Sequence, residues 1–188
     1  MSEKYKFFDP NGVYFVSPTL VGWVDLFTKP VYQDIIIDAL LHCIAIKGLK
    51  IHAWVIMPSH LHLVISAEPE TNLANILRDF KRHTNKQIVS ALTTGNDSRK
   101  EWMIQQFSKA AQPIKRVANY KVWQDGNHPI QIDFTPYFDQ KIEYVHDNPV
   151  AAGLVNIPED YRLSSAIDYA GGKGLLPIDW FETEEGND

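Results

Sequence analysis

Features typical of secreted and membrane proteins are scarce in this sequence. Its single cysteine, Cys43, excludes a disulfide within the chain and favours a reducing compartment. No run of about 18 apolar residues is present that could cross a bilayer; the most apolar segment, Ile35 to Ile46, is interrupted by Asp38 and His42. The N-terminal residues lack the apolar region of a signal peptide. We therefore expect a cytoplasmic protein that has no membrane partner.

Internal repeats, low-complexity tracts and coiled-coil heptads are also missing. A glycine-rich stretch, Gly171 to Gly174, lacks the spacing of a phosphate-binding P-loop. The chain has 188 residues, of which 45% are apolar and 22% charged, as is usual for a soluble globular protein. This length suits one domain with a full core. We predict a single domain whose core spans about residues 13–170, followed by an acidic tail.

Charge is unevenly distributed along the chain. The net charge is −5, which by itself argues against a polyanionic partner. Residues 78–121, however, contain ten basic and three acidic side chains, a net charge of +7, and the remainder carries −12. This basic segment could contact a phosphate backbone, or it could be the solvated surface of a helix. Charge alone does not decide between the two.

Hydrophobic periodicity and turn residues predict an alternation of strands and helices. Strands are expected at residues 13–19, 49–57, 60–66, 120–123 and 130–134. Helices are expected from Lys29-Pro30 to Gly48, from Thr71 or Asn72 to Ala91, from Ser98 to Ala110, and from Thr135 to about Asn148. Alternation along the second strand would place five apolar residues on one face: Leu49, Ile51, Ala53, Val55 and Met57.

This order of elements fits a ferredoxin-like α+β sandwich. One helix follows the first strand and another follows the third, so an antiparallel sheet with helices packed on one face is expected. The other face of the sheet would then be partly open. A functional site could lie there.

Two histidines on the third strand are the first candidates for such a site. Side chains alternate along a strand, so His60 and His62 point to the same side, whereas Leu61 and Leu63 point into a core. Neutral imidazole nitrogen is a common metal ligand, so the pair could hold a divalent metal. The alternative is two ordinary strand histidines, one exposed and one hydrogen-bonded. Val64 occupies the next alternating position, which excludes a three-histidine pattern.

Tyr144, in the last predicted helix, is the second candidate. The apolar stripe of that helix is formed by Phe138, Ile142 and Val145, and Tyr144 lies roughly 120° from its centre. A core tyrosine would lie on the stripe, whereas a boundary tyrosine packs its ring and exposes its hydroxyl. Asn148, one turn later, could offer its carbonyl oxygen to Mg²⁺ or Mn²⁺, or it could cap the short turn that follows.

Together these segments resemble the single-tyrosine HUH transposases. The likeness rests on His60-Leu61-His62 after a strand and on the late stretch from Tyr144 to Leu154, which contains Asn148 and Pro149. The closer likeness is to the REP-associated tyrosine transposases, relatives of the insertion-sequence-200 type. Further matching stretches are Ala53–Pro58, Leu77–Lys81, Val122–Gly126 and Tyr161–Ser165.

The resemblance implies an enzyme that cleaves and rejoins hairpin-forming single-stranded DNA through a 5′-phosphotyrosine intermediate. By residue match, Tyr144 would be the nucleophile, and His60, His62 and Asn148 would hold Mg²⁺ or Mn²⁺. The basic segment would contact DNA, and the candidate contacts are Arg78, Lys81, Arg82, Lys86, Lys115, Arg116 and Lys121. Tyr120, Trp102 and Trp123 could stack on unpaired bases, or they could be packed in the core.

Two other functions are compatible with the same residues. One is a domesticated relative that binds hairpin DNA without cutting it. The other is a metal-dependent phosphoesterase acting on small nucleotides, which would need a closed pocket. Insertion-sequence-200 relatives work as dimers and the REP-associated branch looks monomeric, so either a monomer or a homodimer is expected.

Overall fold

The computed structural model describes residues 7–112, 119–132 and 135–180. Its strands are β1 (Val13–Val16), β2 (Leu49–Ile56), β3 (Leu61–Ala67) and β4 (Ile130–Ile132). Its helices are α1 (Pro30–Lys47), α2 (Leu73–Thr94), α3 (Lys100–Ala111), α4 (Thr135–Ala151) and the short α5 (Ala166–Tyr169). Two predicted DNA contacts, Lys115 and Arg116, lie outside the described ranges, as do residues 133–134 and the last eight residues of the predicted acidic tail.

The four strands form one antiparallel sheet in the order β2-β3-β1-β4. β1 is central, and its Phe15 pairs with Val64 of β3 on one side and with Ile130 of β4 on the other. With α1 between β1 and β2, and α2 after β3, this is the predicted ferredoxin-like α+β fold, which is confirmed. The predicted strand at residues 120–123 is wrong, because that segment contributes only an isolated bridge between Leu20 and Trp123.

One face of the sheet is covered by α1 and α2, and the main core lies between them. Pro30 occupies the first turn of α1, and Gly48 ends the helix with a φ of 72°, a left-handed conformation that glycine adopts without strain. Asn72 caps α2 by accepting a hydrogen bond from the backbone N–H of Asn75. None of the helices in the described ranges is long and apolar enough to span a membrane.

The predicted alternation along β2 is wrong in its second half. Ile51 pairs with Ile65, but the next pair is Ala53 with Val64, so His52 is an extra residue in a β-bulge. The bulge reverses the alternation, so that Ile51 packs in the main core whereas Ala53 joins a second cluster on the opposite face. Of the five residues predicted on one face, Leu49 and Ile51 therefore pack in the main core, whereas Ala53, Val55 and Met57 pack on the side of α4.

The face opposite α1 and α2 is partly covered by α4. Phe138, Ile142 and Val145, spaced by four and three residues, pack with Phe15 and Val64 in the second cluster. The apolar stripe predicted for this helix is thus its buried face. Because His62 is on the same face of β3 as Val64, α4 passes over the histidine pair.

Candidate functional site

The two histidines face each other at the start of β3. The Nε2 atoms of His60 and His62 are 3.1 Å apart, and the ring centroids are 4.7 Å apart. His62 is 7% exposed, and its ring stacks on Phe15 with a centroid distance of 5.3 Å. The two nitrogens that could bind one ion therefore converge on a single point.

Two serines hold the outer nitrogens of these rings. Ser17 Oγ is 2.8 Å from His62 Nδ1, and Ser59 Oγ is 3.2 Å from His60 Nδ1. If each Nδ1 carries the proton and donates to its serine, both Nε2 lone pairs are available to a metal. Ser17 follows β1 and reaches His62 because β1 pairs with β3, so the sequence pattern of β3 alone gave no signal for it.

Both histidines are kept neutral by their surroundings. Burial lowers the pKa of His60 below its ordinary value. Burial is also the main cause at His62, where the neighbouring His60 and Lys141 charges add to it and the pKa falls to about 3. Since only neutral imidazole binds a metal, these rings are in the metal-binding form at neutral pH.

Tyr144 lies beside the histidine pair. Its ring centroid is 5.3 Å from that of His62 and 5.7 Å from that of Phe15, both in edge-on geometry. The residue is 47% exposed, although its helix is anchored on either side by buried apolar residues. The arrangement holds the phenol ring against the site and leaves part of it open to a ligand.

Asn148 lies one helical turn after Tyr144 and also faces the histidines. It is close enough to His62 to oppose slightly the lowering of the pKa of that imidazole, and its Nδ2 donates to the backbone carbonyl of Tyr144. Because the amide nitrogen is engaged, the amide oxygen is the atom that can act as a ligand. Asn148 is inside α4, which continues through Pro149 to Ala151, so it does not cap a separate turn.

Lys141 is a site residue that the sequence analysis did not select. Its Nζ is 5.4 Å from the ring centroid of Tyr144 and 5.0 Å from that of Phe15. Its position one turn before Tyr144 was the available signal, because residues three apart share a helix face. The site therefore contains a cation near the histidines and the phenol.

The donor set fits an octahedral divalent ion. Two ligands about 2.1 Å from such an ion and 90° apart are about 3.0 Å from each other, which matches the separation of the two Nε2 atoms. An amide oxygen is a third ligand of the kind that Mg²⁺ and Mn²⁺ accept. Within the described ranges, no group of three or more His, Cys, Asp or Glu residues could hold a metal. The pair with Asn148 would thus form a nitrogen–oxygen site.

A basic groove lies along α2, on the side of the sheet opposite α4. It has a volume of about 580 Å³ and brings together five of the seven predicted DNA contacts. These are Arg78, Lys81, Arg82, Lys86 and Lys121. One wall is the segment 121–127, which is joined to the site because Gln124 N donates to Thr19 O and Thr19 forms a bridge with His60.

The five cations in this groove differ in how free they are to meet a ligand. Arg78 and Arg82 are exposed, and each forms an ion pair with Asp79. Lys121 pairs with Asp125, and Lys81 donates to the backbone carbonyls of two residues in the opposite wall. Burial lowers the pKa of Lys81 to about 8.

The aromatic residues near the groove also differ. Trp123 is buried, its Nε1 donates to Thr84, and its ring lies against Phe27 and Phe80 in the core. Trp102 is 49% exposed on α3. Of the two tryptophans proposed for stacking, only Trp102 presents its ring to solvent.

Residues 24–110 match the family described as "Transposase IS200 like". This segment, just under half of the chain, is similar to the IS200-like transposases. A search of the curated proteins finds no match. Among solved structures, a REP-associated tyrosine transposase bound to a REP hairpin is similar, with a TM-score of 0.65 and 21% identity over 97% of this chain and 93% of that one. At this identity the likeness concerns the fold.

A second solved structure, of a protein described as a candidate transposase from Deinococcus radiodurans R1, is more distant. It has 16% identity and a TM-score of 0.42, covering 78% of this chain and 97% of that one. A score of this size does not establish a common fold.

The segment that matches the IS200-like family contains only part of the site. Residues 24–110 include both histidines, strand β3 and the basic face of α2. Tyr144 and Asn148 lie beyond it, on α4. Their place beside the histidines therefore comes from the fold.

Proposed function

We propose that this chain is a DNA strand transferase of the single-tyrosine type. The observation that carries the proposal is the approach of the Tyr144 ring to His62, with a centroid distance of 5.3 Å, at the point where the two Nε2 atoms converge. A nucleophile beside a potential metal site is the arrangement that phosphodiester cleavage requires. The similarity of residues 24–110 to the IS200-like transposases supports the same reaction.

In the proposed step, the Tyr144 hydroxyl oxygen attacks a phosphorus atom of single-stranded DNA. The bond from that oxygen to phosphorus forms while the bond from phosphorus to the 3′ oxygen breaks, and the phenol proton ends on the released 3′-hydroxyl. The products are a 5′-phosphotyrosine and a free 3′ end. One phosphoester replaces another, so the reverse attack by a 3′-hydroxyl rejoins a strand without ATP.

His60, His62 and Asn148 would hold Mg²⁺ or Mn²⁺. When bound, such an ion offsets the charge of the non-bridging phosphate oxygens and stabilises the charge that develops in the transition state. Lys141 would add a second positive charge on the side of Tyr144. The buried apolar residues of α4 keep the phenol and the amide on the side of the helix that faces the histidines.

Hairpin-forming DNA is the substrate class we propose. The solved REP-associated transposase with this fold is bound to a REP hairpin. In this chain, the groove along α2 offers Arg78, Arg82 and Lys86 to a phosphate backbone. The backbone link from Gln124 through Thr19 to His60 places the wall of this groove next to the histidines.

The first test is covalent capture. Incubation of the protein with a DNA hairpin carrying single-stranded extensions and Mn²⁺ should give an adduct that survives denaturing electrophoresis. Tyr144→Phe should reduce the adduct below detection while hairpin affinity stays unchanged, because only the hydroxyl is lost. Tyr137→Phe is the matched control, since Tyr137 is exposed on the same helix and should keep the adduct.

Three outcomes contradict the proposal. If Tyr144→Phe still forms the adduct, another residue is the nucleophile. If the wild-type protein binds the hairpin but forms no adduct with any divalent metal, the chain is a hairpin-binding protein that does not cut. Turnover of a small diester without an adduct would instead indicate a phosphoesterase.

A further inference from the structure

Trp23 is a large exposed side chain next to the histidine pair. The residue is 60% exposed, and its ring centroid is 5.4 Å from that of His60, in edge-on geometry. Most of the indole surface is therefore open to solvent. Burial in the core does not account for this residue.

The backbone at this tryptophan has an unusual conformation. Trp23 has a φ of 53°, in the left-handed region, which an L-residue with a bulky side chain rarely adopts. It follows Gly22, whose φ of 67° carries no such penalty. Strain of this kind persists where the surrounding structure imposes it, and it is concentrated at functional sites.

The turn that carries Trp23 is fixed to the histidine site. Its neighbours Leu20 and Val24 are buried, and Trp23 N donates to Leu20 O. Leu20 N in turn donates to the carbonyl of Ser59, whose hydroxyl contacts His60. The indole is thus held at a defined position beside the proposed metal site.

We infer that Trp23 is a stacking platform for an unpaired nucleobase next to the scissile phosphate. This inference rests on the proposed function, which places that phosphate at His60 and His62. Along double-stranded DNA each strand advances about 3.4 Å per nucleotide, and an unstacked single strand extends further, so a ring 5.4 Å from that of His60 is within reach of a nucleotide one or two positions away. An indole face accepts any base, so the platform selects single-stranded over paired DNA rather than one sequence.

The test uses hairpins whose single-stranded extension carries 2-aminopurine at one position at a time. Stacking on Trp23 should quench the fluorescence at one or two neighbouring positions when the Tyr144→Phe protein, which leaves the DNA uncut, is added. Trp23→Ala should abolish that quenching and weaken binding of the extended hairpin by about five- to a hundredfold. Trp23→Phe should retain most of both effects, and a hairpin without an extension should bind all variants equally.

Trp180→Ala is the matched control, since Trp180 is 56% exposed and should change neither readout. Thermal unfolding of each variant checks that the fold is kept. The inference is overturned if no position is quenched, or if Trp23→Ala binds the extended hairpin as tightly as the wild type. It is also overturned if Trp23→Ala weakens binding equally for the hairpins with and without an extension.

The two proposals, base stacking on Trp23 and cleavage by Tyr144, can be rejected independently. Quenching that depends on Trp23 in a protein that forms no adduct would reject cleavage by Tyr144 and keep the platform. Normal adduct formation without quenching would reject the platform and keep the proposed function. A protein that binds no DNA would reject both.

Discussion

At the scale of single residues, the candidate site depends on neutral imidazoles whose outer nitrogens are held by hydroxyl groups. Ser17 and Ser59 each contact one Nδ1 atom. Such contacts fix the tautomer and the ring orientation of a metal ligand. The serines therefore decide whether both Nε2 atoms are available at once.

Ser17→Ala should weaken Mn²⁺ binding by about 10- to 100-fold, because His62 loses the acceptor that fixes its tautomer. Calorimetric titration of the DNA-free protein measures this directly. Ser90→Ala, a change at an exposed position on α2, should leave the affinity unchanged. Equal affinities for the Ser17 variant and the wild type would show that His62 needs no such partner.

His52, the extra residue of the bulge, should make stability depend on pH. Its ring is buried between Ser66 and the backbone carbonyl of Asp179, and burial lowers its pKa below the ordinary value of 6.5. The unfolded chain therefore binds a proton more readily than the folded protein below about pH 6.5. The contribution of His52 to the free energy of unfolding should be fully present above that pH. It should decrease as the pH falls.

Urea unfolding at pH 7.5 and pH 5.5 measures this effect. His52→Gln keeps a polar side chain that does not titrate, so it should reduce the difference between the two pH values. His42→Gln is the control, since His42 is an exposed residue on α1. An unchanged difference in the His52 variant would show that its protonation is not coupled to folding.

At the scale of elements, α4 is the part that completes the site. Its apolar residues pack on the sheet, and this fixes Lys141, Tyr144 and Asn148 on the side that faces β3. α2 has the corresponding role for the basic groove. Lys81, on this helix, was predicted to contact DNA, but its Nζ donates to the backbone carbonyls of Gln124 and Gly126.

Lys81→Met should lower the free energy of unfolding by about 1–3 kcal/mol, because the carbonyls of Gln124 and Gly126 lose a charged donor. Chemical denaturation measures the change. Lys86→Met, on an exposed part of the same helix, should have little effect. If the two variants are equally stable, Lys81 is free for DNA in solution.

At the scale of the whole molecule, positive charge is concentrated in one groove of a protein with a net charge of −5. Such a groove can bind a polyanion that the remaining surface repels. It lies across the sheet from α4, and its wall at residues 121–127 is joined by backbone hydrogen bonds to residues 17–21, next to the histidines. The expectation that the active unit is a monomer or a homodimer stays a prediction.

Arg82→Ala should weaken hairpin binding and reduce the slope of log affinity against log salt concentration by about 0.7–0.9, because one phosphate contact is lost. Fluorescence anisotropy over a range of salt concentrations gives this slope. Lys173→Ala, in the exposed turn before residue 175, is the control. A slope unchanged by Arg82→Ala would place the DNA elsewhere.

Local periodicity was enough to define most of the fold and the chemical groups of the site. The spacing of His60 and His62 fixed their common side, and the spacing of Tyr144 and Asn148 fixed their common helix face, because each pair lies within one element. The order of strands and helices likewise predicted the ferredoxin-like class. These features depend on neighbours along the chain.

Only the tertiary structure decided which elements meet. The bulge at His52 redirected half of β2, β1 brought Ser17 to His62, and Lys81 turned toward backbone carbonyls. The exposed Trp23 is placed beside His60 by hydrogen bonds that connect two separate segments, residues 20–24 and Ser59–His60. Contacts of this kind join residues far apart in the chain, so side-chain spacing does not encode them, and packing of the two sheet faces determines them.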